Sequence, residues 1–180
     1  NVVQRARDRG IDTREAFFGL DVAEDLRAAG IRADVLHAHN VLAHVPDING
    51  VVRGIAQVLA DDGVAVIETP YVRDLIEQVA FDTIYHEHLF AYSLGSLEHL
   101  CSRNGLRIVD VERLALHGGS LRVFAVRAET DAATGNAHPV SASVVALREE
   151  ESRVGLGSFA FYAGFAGRVK SATDSLRSLV

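Results

Sequence analysis

The chain has 180 residues, 48% of them hydrophobic, and a formal charge of −6, which together with a positive mean hydropathy describes a folded globular protein with a sizeable core. Scattered basic residues exclude a large nucleic-acid footprint, and no apolar run approaches the roughly 20 residues of a membrane span. No signal peptide is visible, and the single cysteine, Cys101, excludes an internal disulfide and suits a reducing compartment, so a soluble cytoplasmic protein is expected.

Methionine is absent. Val2-Val3-Gln4-Arg5-Ala6-Arg7 reads as the last turns of a helix closing at Gly10, and Ser171 to Val180 is an amphipathic helical pattern with no Gly or Asn cap. Both ends suit an internal piece of a longer protein. Between them, Ile11 to Phe18 reads as a short strand with its loop, and Asp21 to Ala29 as a helix stopped by Gly30. The short apolar run Ala33 to Ala38 fits a buried parallel strand, with His37 a satisfied core histidine. Helical spacing from Asn49 to Ala60 ends in the turn signal Asp61-Asp62-Gly63, and Val64 to Glu68 forms a second buried strand closed by Pro70. Tyr71 to Val79 reads as helical, and Ser96 to Asn104 as a clearer helix ending at Gly105. Leu106 to Leu114 and Leu121 to Ala128 are strands joined by a Gly-Gly turn.

Strands alternating with helices point to an α/β fold with an open sheet, and the last two strands, with no helix between them, to an antiparallel hairpin at its edge. This order suits a Rossmann-like class I methyltransferase sheet. The pattern divides the chain into residues 1–130, the C-terminal part of such a domain, a polar linker at 131–139, and a helical opening of a further domain at 140–180.

Three clusters carry groups able to do chemistry. The densest is Phe81-Asp82-Thr83-Ile84-Tyr85-His86-Glu87-His88, in which two imidazoles, a carboxylate and a phenol can move protons near neutral pH. A helix would put Tyr85 and His88 on one face. An extended chain would pair Tyr85 with Glu87 and His86 with His88. The same composition also fits a solvated polar loop. A metal site would need three or four ligands at suitable spacing; neither His-Glu-x-x-His nor Cys-x-x-Cys is present, so no metal is expected in this chain. The second cluster, His37-Ala38-His39-Asn40-Val41-Leu42-Ala43-His44-Val45-Pro46-Asp47, follows a strand, where open α/β sheets bind their ligands. Glu68, at the end of the next strand, is expected to face the same cleft. The third, His117-Gly118-Gly119-Ser120, permits a tight turn and close backbone approach, and a hairpin turn accounts for it equally well. Asp82, Arg122 and Arg127 read as ordinary surface or edge-strand charges.

Taken together, Asn40 to Asp47, Phe81 to His88 and His117-Gly118-Gly119-Ser120-Leu121-Arg122-Val123 resemble, in order and separation, the class I C-methyltransferases that act on nucleotide-linked deoxysugars. The resemblance covers nearly the whole chain and is most specific at Tyr85-His86-Glu87-His88. It implies S-adenosyl-L-methionine as cofactor and, as substrate, a 4-keto sugar on a nucleoside diphosphate, commonly dTDP, methylated beside the ketone. It also implies a methyltransferase domain flanked by a zinc-binding N-terminal domain and a C-terminal α/β domain. By this likeness His88 is the base, Tyr85, Glu87 and His44 surround the sugar, and Asn40 with its neighbours His39 and Val41 lines the cofactor side. His86 is the less favoured catalytic member of the run. This sequence departs from the family in lacking the glycine-rich loop after the first strand, the acidic residue for the ribose, and the zinc cysteines, so zinc is expected only in the N-terminal domain. Two other readings remain: a methyltransferase for another small molecule, and a non-catalytic α/β binding module.

Overall fold

The computed structural model describes residues 2–129 and 138–179. In chain order these form α1 (Val2–Asp8), α2 (Leu20–Ala28), β1 (Ala33–His39), α3 (Ile48–Val58), β2 (Leu59–Pro70), α4 (Val72–Glu77), α5 (Leu94–Arg103), β3 (Leu106–Leu114), β4 (Ser120–Arg127), α6 (Ala142–Val154), α7 (Phe159–Tyr162) and α8 (Phe165–Arg177). Single 3₁₀ turns stand at Leu42–His44, Phe81–Thr83 and Leu116–Gly118. The four strands make one mixed sheet in the order β1-β2-β4-β3. β1 and β2 are parallel, whereas β2–β4 and β3–β4 are antiparallel. This is the α/β sheet with a terminal antiparallel hairpin that the alternation of elements implies.

The period of two along each strand divides the sheet into unlike faces. Ala65, Ile67, Leu121, Val123, Ala125, Ile108 and Val111 turn to one side and join Val52, Ile55, Leu97, Leu100 and Val144 in a single buried cluster. The helices that cover it are well specified locally. Asp47 caps α3 by accepting from the Gly50 amide. Ser93 and Ser96 form a reciprocal capping box on α5, and Gly155 ends α6 in the left-handed conformation that glycine adopts without strain. Cys101 lies within this core, and burial, with a smaller push from Glu98, raises its thiol pKa to about 12.

α6 belongs to the same core. Val144 and Leu147 are buried in it together with Leu156 just beyond the helix, and the Glu151 carboxylate accepts from the Leu94 and Gly95 amides at 2.7 and 3.1 Å. That carboxylate satisfies first-turn amides of α5 that no intrahelical carbonyl can reach. The linker expected at 131–139 lies outside the described residues except for His138 and Pro139; the His138 carbonyl accepts from Arg107 at 2.8 Å.

Several expectations are corrected. Ile11 to Phe18 is not a strand: no neighbouring strand pairs with it, and Phe17 is fully exposed. β1 is parallel as expected but not buried, because it is the sheet's end strand; only Ala38 is covered, and Val35 is 53% exposed. His37 is therefore no core histidine. It is exposed and, among the described residues, its side chain meets His39, Nδ1 to Nε2, at 3.3 Å. The turn signal at Asp61-Asp62-Gly63 falls inside β2 as a bulge, where Ala33 pairs with Leu59 but Val35 pairs with Val64. Glu68 does not open to the cleft either. It is buried on the other sheet face beneath Arg122, whose guanidinium lies 3.0 Å from both Glu68 and the cross-strand Glu112.

Candidate functional site

At the end of the sheet where β1 and β2 present their carboxyl termini, a cavity of about 400 Å³ opens. Asn40 and His44 line it beyond β1, Pro70, Tyr71 and Leu75 beyond β2, Asp82, Thr83, Tyr85 and His88 from the 80s loop, and His117-Gly118-Gly119 from the β3–β4 connection. Main-chain hydrogen bonds hold these segments in mutual register. The Asn40 amide donates to the Glu68 carbonyl at 2.8 Å, the Leu89 amide to Ala43 at 2.8 Å, the Val72 amide to Tyr92 at 2.8 Å, and the Tyr71 amide to Gly119 at 3.0 Å. The Tyr92 hydroxyl, itself buried, donates to the Leu42 carbonyl at 3.0 Å, fixing the turn that carries His44.

The run Tyr85-His86-Glu87-His88 is neither helix nor strand. It is a turn in which the His88 amide donates to the Tyr85 carbonyl at 3.0 Å, and that turn brings the Tyr85 and His88 rings together, tilted by 41° with centroids 4.3 Å apart. His88 Nδ1 lies 2.7 Å from the Thr83 carbonyl. A carbonyl can only accept, so the neutral ring carries its proton on Nδ1 and leaves a lone pair on Nε2. That lone pair faces the Tyr85 hydroxyl at 3.2 Å. His44 repeats the device: its Nδ1 donates to the Glu87 carbonyl at 2.9 Å, and its ring lies 4.8 Å from that of His88. Two imidazoles with oriented tautomers and one phenol thus converge on one wall, an arrangement able to take a proton from a bound carbon or oxygen acid.

Of the residues singled out in the sequence, His88, Tyr85, His44 and Asn40 come together at this cavity. Glu87 does not: its carboxylate turns outward into a shallow depression shared with His44, His86 and Leu89, with His86 3.8 Å away. His39 and Val41 lie beside the cavity without lining it; His39 points to the outer sheet face with His37, and Val41 is exposed.

The sequence reading underrated other parts. Asp82 lines the cavity rather than being an ordinary surface charge, and the Thr83 carbonyl that fixes His88 is a main-chain group no sequence pattern marks. Behind Tyr71, Asp74 is buried and bound by Arg113, with a second Nε contact at 3.3 Å. Glu150 of α6 pairs with Arg73 and stands 3.7 Å from Arg113. Arg113 also lies over the Tyr71 ring at 5.3 Å. Burial, reinforced by Glu151, raises the pKa of the Tyr71 hydroxyl, so that phenol stays neutral.

Backbone strain gathers at the same place. Among the described residues, three that are not glycine have positive φ, Asn40 (53°), Val79 (56°) and His117 (53°). Asn40 and His117 line the cavity and Val79 precedes a lining residue, Ala80. Left-handed backbone is uncommon outside glycine, and such residues concentrate at functional sites.

A family model described as a methyltransferase domain matches residues 4–111, and one described as a C-methyltransferase C-terminal domain matches residues 115–180. The C-methyltransferase NovU of Streptomyces niveus is 37% identical over 180 residues, which is 100% of this chain and 41% of NovU. The chain thus spans about two fifths of the length of that relative. Among solved structures, an O-methyltransferase family protein from Burkholderia thailandensis superimposes with a TM-score of 0.48 at 18% identity, over 68% of this chain and 38% of that one. The magnesium protoporphyrin IX methyltransferase of Synechocystis PCC 6803 with bound SAH does so at 0.43 and 13%, over 55% and 47%.

Proposed function

This chain belongs to the methyltransferase-domain family, and on that premise we propose that it carries the proton-transfer half of the active site of an S-adenosyl-L-methionine-dependent C-methyltransferase. The proposed substrate is a nucleotide-linked 4-keto-deoxysugar, with dTDP as the expected carrier, methylated at the carbon beside the ketone. The likeness to a C-methyltransferase and the C-methyltransferase C-terminal match support carbon as the acceptor. The single observation that carries the reading is the His88 imidazole, whose Nδ1 is tied to the Thr83 carbonyl at 2.7 Å and whose Nε2 is left as the basic nitrogen, facing the Tyr85 hydroxyl at 3.2 Å.

A ring carbon becomes nucleophilic when the proton beside a ketone is removed, because the electron pair then delocalises onto the carbonyl oxygen. In this scheme His88 Nε2 takes that proton. The Tyr85 hydroxyl, now released from Nε2, turns its hydrogen to a substrate oxygen, and His44 orients the sugar from the neighbouring turn. Glu87 acts through its main-chain carbonyl, which holds His44, rather than through its outward carboxylate. S-adenosyl-L-methionine supplies an electrophilic methyl group when bound. The lining residues fit a cationic sulfonium, since they include Asp82 and the aromatic Tyr85, with no lysine or arginine among those that line the cavity. Asn40, at the strand end, would hold the cofactor's near side. A nucleotide-sugar partner and a dissolved cytoplasmic setting belong to the same reading; among the described residues no helix is long and apolar enough to cross a membrane.

The test is His88→Asn in the full-length protein. Methyl transfer to a dTDP-linked 4-keto-deoxysugar is expected to fall by roughly 10²–10⁴-fold, the usual contribution of a general base, while cofactor binding by calorimetry survives. Turnover equal to that of the wild type would sink the base assignment.

A further inference from the structure

Within the reaction proposed above, on which this inference rests, we infer that His117 supplies the hydrogen bond to the substrate oxygen that gathers charge as His88 removes the proton. His117 opens the Gly-Gly turn between β3 and β4 with φ 53° and ψ 35°. Gly118 and Gly119 follow it with φ of 81° and 116°, so the chain spends glycine at two left-handed positions and keeps an imidazole at the third. A tight turn alone would be served better by glycine or asparagine there. The turn is fixed from several sides. Gly119 donates to the Leu116 carbonyl at 2.9 Å and accepts from the Tyr71 amide at 3.0 Å, and a Cβ at Gly119 would lie 2.2 Å from the Asp74 carboxylate.

Held this way, His117 lines the same cavity as His88 but from a different wall, the β3–β4 connection rather than the 80s loop. Unlike His44 and His88, it has no hydrogen-bond partner among the described residues, so both ring nitrogens are available to a ligand. The electron balance of the first step asks for such a group. The C–H pair becomes the new C=C bond, the carbonyl π pair moves onto oxygen, and the proton passes to His88 Nε2. The oxygen then needs a donor placed in advance, on a side away from the base. His88, already hydrogen-bonded at Nδ1, cannot serve as both.

His117→Gly and His117→Asn test this in the full-length protein, because both residues accept the left-handed backbone while removing the imidazole. The readouts are kcat and KM for methylation of a dTDP-linked 4-keto-deoxysugar, solvent deuterium exchange at the carbon beside the ketone, and Tm. Expected is a fall in kcat and in exchange of about 10²-fold, the usual loss for one oxyanion donor, with KM little changed. The glycine variant should be as heat-stable as the wild type or more so, since the backbone strain is relieved. A raised KM with kcat intact would overturn the assignment in favour of simple substrate grip, and a Tm that falls with turnover would overturn it in favour of a structural role. A wild type that exchanges and methylates, with variants equally active, overturns the His117 role alone. A wild type that does neither overturns the proposed function and this inference with it.

Discussion

The covered face of the sheet and the rim of the cavity lie next to each other, yet they are built on opposite rules. On the covered face, Ile67, Leu121, Val123 and Ala125 are wholly buried, none of these has a positive φ, and α3, α5 and α6 close over them. Around the cavity, the half-buried His44 and His88 and the exposed His117 sit on loops and 3₁₀ turns, and the three left-handed non-glycine residues among those described all lie at or beside it. Stability is concentrated in the first region, and the second draws on it to keep strained groups in place. Substitutions should therefore divide into those that move Tm and those that move turnover.

The largest stability effect should come from Ile67→Ala, which leaves a cavity at a fully buried site; about 2–5 kcal/mol is expected by urea unfolding. Against it stands His88→Asn, whose loss belongs to turnover alone, and a large fall in its Tm would erase the division. Gly119→Ala probes the boundary between the regions. Its φ of 116° and the 2.2 Å approach to Asp74 predict a cost of roughly 1–3 kcal/mol from overpacking, together with slower methyl transfer as the His117 turn shifts. A normal rate in a destabilised protein would separate that turn from the chemistry.

Glu150→Gln gives the smallest effect. The hydrogen bond from Arg73 holds the Glu150 carboxyl below the usual carboxylate range. Because its folded pKa is depressed, the stabilisation is fully present above the ordinary glutamate value and disappears as pH falls through the depressed one. The pair is partly exposed, so the gap in Tm between wild type and variant should correspond to less than about 1 kcal/mol at pH 7 and should close in acid. A gap that persists at low pH would show that the contact acts by packing rather than charge.

What the sequence made legible follows the same division. The order of strands and helices from Asn49 to Ala128 was readable because most elements carry their own periodicity and punctuation, as with Gly105 after α5, although that helix begins at Leu94, ahead of the expected Ser96, and the turn expected at Asp61-Asp62-Gly63 is a bulge. Ile11 to Phe18 misled because a strand needs a partner strand, which local composition cannot reveal. β1 misled in a related way: apolar content says that a segment prefers burial, not which neighbour buries it. At the site, the residue types in the Tyr85-His86-Glu87-His88 run were evident, but its geometry was not. Only the turn shows that Tyr85 and His88 face each other while Glu87 points away, and only the fold reveals the Thr83 carbonyl. His117 had one local signal, a non-glycine residue opening a glycine pair, and a hairpin turn explained that pattern equally well.

The carboxylate of Glu151 on the first amides of α5 has a practical consequence for exchanging parts between related proteins. Composition would place a splice in the polar stretch after β4, ahead of α6. A chimaera cut there would import a foreign α6 and depend on it to supply a carboxylate at the same height, two apolar residues equivalent to Val144 and Leu147, and an acid facing Arg73. A better seam lies further on, past Tyr162, the last of the residues that pack against this core. Parts joined at that point keep the wall behind the cavity intact.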